Sequence, residues 1–195
     1  MNGHLELIIT GPRVYRILEI SQVLSQAAVI QGLEAKTAEF TNEPLMTAEI
    51  AHIKIGREIY SPLISRNKAE AIVFFEPLIM PELAVDYLSP QGILVINTHS
   101  ILSCAEMFEQ VMSSLSQLTD KIIKLDITQI AKGAADLTKS NFAMLGVLSG
   151  LNIIPVEPEN IIKAVEEIRS PHDSRACIRA IEGGKQAALA FERYG

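Results

Sequence analysis

Two short apolar runs limit what this chain can fold into more than any other feature. Ala71-Ile72-Val73-Phe74-Phe75 is closed by Glu76-Pro77, and Gly92-Ile93-Leu94-Val95-Ile96 is closed by Asn97-Thr98. Each run is short, lacks polar alternation and stops at turn residues, which is the pattern of a strand covered on both faces. Such strands belong to a sheet with helices on each side, and an open sheet of that kind collects ligands beyond the carboxyl ends of its strands. Glu76, Asn97 and Thr98 stand at that edge.

The flanking segments supply the helices and further strands. Residues 5–10 read as a first strand, Gly11 as its turn, and Pro12 as the first-turn proline of a helix that runs to Gly32, a suitable C-terminal cap. Residues 33–40 resume as a strand, so the chain opens as a β-α-β unit with a parallel sheet at its centre. Residues 48–55 alternate as well, and Gly56-Arg57 fits a two-residue turn with residues 58–60 returning as an antiparallel hairpin. Residues 81–88, 104–118, 127–135 and 141–150 read as helices and 121–125 as a strand. A helix over 159–168 and a last one over 171–194, weakened at Gly183-Gly184, complete the chain. The expected fold is α/β: a three-layer α/β/α arrangement with a mainly parallel sheet and an antiparallel hairpin. A helical C-terminal segment over 157–195 packs on it, and the 195 residues form one domain.

Composition removes several function classes. The chain is 48% hydrophobic without a Trp, so its core is Ile, Leu, Val and Ala. A net charge of −6 and a pI near 5.3 argue against nucleic acid as a partner. No apolar run approaches the roughly 20 residues of a membrane helix. Met1-Asn2-Gly3-His4 does not begin a secretory signal, so a cytoplasmic location without membrane attachment is expected. Cys104 and Cys177 are the only cysteines, which excludes a disulfide framework and an iron–sulfur or four-thiolate zinc site held by this chain alone. His4, His52, His99 and His172 have no ligand spacing, so no metal site is expected.

The edge residues carry the candidate chemistry. Gly11-Pro12-Arg13-Val14-Tyr15-Arg16 has one glycine and a proline without an N–H, a poor cradle for phosphate. Arg13 and Arg16 sit where positive charge opposes the helix dipole. They attract an anion, contact a partner, or are simply solvated. Glu76 hydrogen-bonds a ligand or partner, or caps the next helix. Asn97-Thr98-His99-Ser100 lines the same crevice, but His99 has no Asp or Cys near it in sequence. No residue is assigned as catalytic.

Four stretches together resemble the γ subunit of the 2-oxoacid:ferredoxin oxidoreductases, the family of pyruvate, 2-oxoisovalerate and indolepyruvate oxidoreductases. They are Ile55-Gly56-Arg57-Glu58-Ile59-Tyr60-Ser61-Pro62-Leu63-Ile64, Phe75-Glu76-Pro77-Leu78, Gly92-Ile93-Leu94-Val95-Ile96-Asn97-Thr98 and Asn141-Phe142-Ala143-Met144-Leu145-Gly146. Order, spacing and length agree over nearly the whole chain. The resemblance implies one part of a larger enzyme that decarboxylates a 2-oxoacid on thiamine diphosphate, passes electrons through iron–sulfur clusters to ferredoxin, and releases an acyl-CoA. It places the diphosphate and clusters mainly on other subunits, with the γ part packed beside the active site as a docking surface and part of the substrate or CoA pocket, so no cofactor is expected on this chain alone. A chain of this size beside one large subunit is the indolepyruvate arrangement.

Two departures qualify the resemblance. The family has Gly-x-Gly-Gly-Gln-Gly where this chain has residues 11–16, and a Gly- and Arg-rich stretch where it has Thr41-Asn42-Glu43-Pro44-Leu45-Met46-Thr47-Ala48. Both replace open backbone with side chains that obstruct a ligand. Gly11, Glu76, Asn97 and Asn141 are the positions that carry over as ligand- or partner-facing. The expected function is a γ-type subunit, not catalytic by itself. The alternative is a divergent relative serving as an assembly or binding module. A homodimer is one expected state of the chain without its partners.

Overall fold

The computed structural model describes residues 4–42, 48–99 and 104–194. Its sheet has six strands: β1 (Leu5–Pro12), β2 (Glu34–Asn42), β3 (Ala48–Gly56), β4 (Ala69–Phe74), β5 (Leu88–Asn97) and β6 (Ile122–Leu125). Their order is β2-β3-β1-β4-β5-β6. β1, β4, β5 and β6 run parallel, while β3 is antiparallel to both β1 and β2.

Helices α1 (Leu18–Ile30), α4 (Ile127–Ala134), α5 (Ser140–Gly150), α6 (Pro158–Ile168) and α7 (Pro171–Tyr194) gather on one face, and α2 (Glu82–Tyr87) and α3 (Ala105–Leu115) on the other. The pleat sorts the core accordingly. Leu7, Ile9, Ile53, Ile55, Val73 and Val95 face the thick layer. Ile8, Ile72, Phe74, Leu94 and Ile96 face the thin one, against Leu83, Met112 and Leu115.

The structure corrects the expected order at five points. The opening β-α-β unit is not a pair of neighbours, because β3 lies between β1 and β2. The antiparallel hairpin is β2 with β3, not residues 48–55 with 58–60. With β1 and β2 on its two sides, β3 has no free edge for a returning strand. Residues 57–64 are instead tied down by side chains: the Glu34 carboxylate accepts the Ile59 N–H at 3.1 Å and His52 Nδ1 accepts the Ile64 N–H at 3.2 Å.

The first helix does not begin at Pro12. Gly11 and Pro12 stay in β1 opposite Glu49 and Ala48, a single 3-10 turn covers Arg13–Tyr15, and Arg16 turns left-handed at φ 53° before α1. Helix α7 is also unbroken at Gly183-Gly184. A Cβ on Gly184 would run into the Ala143 carbonyl, and one on Gly146 into that of Ile181, so the glycines let α5 and α7 touch backbone to backbone. Every residue of α5 is buried, as befits a helix that is apolar all round. Helical spacing groups Met107 with Met112 and Leu115 on one core-packing side of α3, but only Met112 and Leu115 face the sheet and Met107 is 51% exposed.

Candidate functional site

The carboxyl ends of β1, β4 and β5 bring Gly11, Glu76 and Asn97 together. Gly11 permits the approach, since a Cβ there would lie 2.6 Å from that of Phe75. The ring of Tyr15 then packs on Phe75, with centroids 5.0 Å apart. Asn97 is fully buried and joins the strand ends. Its amide nitrogen donates to the Tyr15 hydroxyl at 3.4 Å, the Phe75 carbonyl at 3.2 Å and the His99 carbonyl at 3.2 Å. Its oxygen accepts the N–H of His99 at 3.3 Å and of Ile127, at the start of α4, at 3.0 Å. Glu76 is buried and accepts the Leu78 N–H at 3.3 Å. Burial pushes the Tyr15 phenol above its usual pKa, and the charges of Glu76 and Asp126 push the same way. Thr98 is exposed, its N–H donating to the Leu125 carbonyl at 3.0 Å. Ser100 lies outside the described residues.

Arg13 and Arg16 leave this crevice for two different partners. Arg13 Nε donates to Glu49 Oε1 at 3.4 Å, and Oε2 of the same carboxylate accepts the Ile17 N–H at 3.1 Å. Arg16 pairs with Glu19, which also holds Arg169 at 3.0 Å. The Asn141 amide donates to the Arg16 carbonyl at 3.3 Å and to Glu19 at 3.1 Å. Asp173 pairs with Lys139, whose proximity holds the Asp173 carboxyl below its usual range. Asn141 and Arg16 therefore tie α1 to the C-terminal helices.

Reading the sequence did not single out Tyr15 or Glu49. A visible signal existed for Glu49: it shares its strand face with Ala51, Ile53 and Ile55, where a carboxylate is out of place.

A phosphate needs backbone donors at the β1–α1 turn, and at the entry to α1 several are already bonded within the chain. The Ile17 N–H goes to Glu49, that of Glu19 to the Arg16 carbonyl and that of Ile20 to the Ile17 carbonyl. Pro12 has none. With Tyr15 filling the space above Phe75, this crevice does not fit the phosphates of a nucleotide or of CoA. Nor do the cysteines fit a cluster: Cys104 is exposed, Cys177 is buried, and burial pushes the Cys177 thiol up to about 11. Among the described residues, no three His, Cys, Asp or Glu side chains could hold a metal ion. No helix among them is long and apolar enough to cross a membrane.

Elsewhere, a cleft of about 920 Å³ opens at the amino edge of the sheet, lined by residues including His4, Gln31, Arg57 and Glu157. A smaller apolar groove of about 350 Å³ lies between α2 and α3.

Residues 9–187 match the family described as pyruvate ferredoxin/flavodoxin oxidoreductase. The chain belongs to that family. Indolepyruvate oxidoreductase subunit IorB of Archaeoglobus fulgidus is 22% identical, with 95% of this chain and 96% of the relative covered. The fold is that of the keto/oxoacid ferredoxin oxidoreductase γ subunit from Geobacter sulfurreducens, at TM-score 0.75 and 18% identity, covering 96% of this chain and 98% of the other. It also matches 2-oxoglutarate:ferredoxin oxidoreductase from Magnetococcus marinus, solved with 2-oxoglutarate, coenzyme A and succinyl-CoA bound. There the TM-score is 0.75 at 15% identity, and 97% of this chain covers 32% of the longer one.

Proposed function

We propose that this chain is the γ-type subunit of an enzyme that oxidatively decarboxylates a 2-oxoacid to an acyl-CoA and passes the electrons to ferredoxin. Thiamine diphosphate and the iron–sulfur clusters reside on partner chains, and this chain contributes surface and rigidity rather than reacting groups. The observation that carries the reading is the near end-to-end match to indolepyruvate oxidoreductase subunit IorB, which favours the arrangement with one large partner. The closed carboxyl edge supports a non-catalytic part in it. A single domain over residues 1–195 and a cytoplasmic location go with this reading. Of the edge residues, Thr98, His99 and the exposed sides of Arg13 and Arg16 are available to a partner.

The test is recovery of the tagged full-length chain from its native extract. The expected eluate carries a large partner with iron–sulfur absorbance and thiamine diphosphate, and reduces ferredoxin when a 2-oxoacid is added. Recovery of the chain alone, or as a homodimer, favours the second reading, a divergent relative acting as an assembly or binding module. The filling of the crevice by Tyr15 and Glu49 is the observation on that side.

A further inference from the structure

Glu49 occupies the place of an anion. At a β1–α1 turn of an open α/β sheet, the helix entry presents N–H groups and a positive dipole end, and a phosphate is the usual guest. Here a carboxylate from the adjacent strand stands in that position. Glu49 lies opposite Gly11 in the β1–β3 register, is 4% exposed, accepts the Ile17 N–H at 3.1 Å and faces the Arg13 guanidinium at 3.4 Å. A buried carboxylate is tolerated only where its charge is met, and a helix entry with a guanidinium meets it as it would meet a phosphate oxygen. The neighbouring N–H groups of Glu19 and Ile20 are already bonded to backbone carbonyls.

We propose that Glu49 is a built-in substitute for a ligand's phosphate, so that the chain fills its own anion position and admits no phosphate-bearing cofactor at this turn. On the subunit reading above, on which this last step rests, the phosphates of the acyl acceptor are held by a partner chain.

Sulfate is titrated against the full-length wild-type chain and Glu49→Ala at constant ionic strength, reading melting temperature and the Ile17 amide resonance. The wild-type Ile17 resonance is expected to stay put, and the wild-type melting temperature to rise only by the unsaturating stabilisation that sulfate gives folded proteins in general. Glu49→Ala vacates the position while leaving Arg13 and the Ile17 N–H in place. It should gain a saturable shift of the Ile17 amide and a rise in melting temperature of a few degrees beyond that of the wild type. Glu49→Ser vacates it equally and replaces the Ala variant should that one not fold. Glu49→Gln keeps an acceptor on the Ile17 N–H and should behave as the wild type. A saturable response of the wild type at Ile17, or none from the vacated variants, overturns the proposal. Failure of the co-purification would leave the sulfate result standing, so the two ideas fail separately.

Discussion

At the carboxyl edge of β1, β4 and β5 the side chains of Tyr15, Glu49 and Asn97 are engaged with neighbouring groups of the chain, whereas at the amino edge a cleft of about 920 Å³ stands open. An open α/β sheet ordinarily does the reverse, keeping its carboxyl edge free for ligands. Here Tyr15, Glu49 and Asn97 bind strand ends, helix entries and turns into a closed unit. The amino-edge lining is partly self-satisfied too: Gln31 donates to the Pro155 carbonyl at 2.7 Å and accepts from Asn160 at 3.2 Å. But those are rim contacts around a void. The difference teaches that a scaffold can be retained while the edge that normally serves a ligand turns into part of the core.

If that contrast is right, substitutions at the closed edge cost far more than those at the open one. The largest effect is expected from Tyr15→Ala, which removes a buried ring from Phe75 and should lower stability by about 3 kcal/mol in urea unfolding. Asn97→Ala comes next. It strands the Ile127 N–H at the start of α4 and should cost about 2 kcal/mol by the same measurement.

A pH titration sharpens the contrast from a third place. His52 on β3 accepts the Ile64 N–H as a neutral ring, and burial, helped by Lys54, lowers its pKa from 6.5. The unfolded chain then takes up the proton that the folded one refuses. Stability contributed by neutral His52 is complete above 6.5 and is lost as pH falls below it toward the depressed folded value. Melting curves across that range should show the loss, and His52→Gln should flatten it. The smallest effect belongs to the open edge: Arg57→Ala, on the cleft's rim, should change stability by no more than about 0.5 kcal/mol. An Arg57 effect as large as that of Asn97 would break the comparison.

Strands β4 and β5 were legible because continuous apolar runs between turn residues have few other interpretations, and their ends put Glu76 and Asn97 at the right edge. The insertion of β3 between β1 and β2 was not legible. Alternation in residues 48–55 identifies a strand but not its neighbours, which depend on contacts far along the chain. Gly183 and Gly184 read as a helix weakness because propensity speaks only of the isolated helix, whereas α4 beside Gly183 and α5 beside Gly184 leave no room for a Cβ atom. Tyr15 stood in a stretch already seen to obstruct a ligand. Its buried place over Phe75 depends on the strand continuing through Pro12, which local pattern does not reveal.

Everything above turns on this edge being already filled by the chain itself. The most direct measurement is a titration of coenzyme A against the wild-type full-length chain, followed at the Ile17 and Tyr15 amides by NMR. Neither resonance should move beyond the change produced by salt alone. A saturable, stoichiometric shift at those two amides would contradict it.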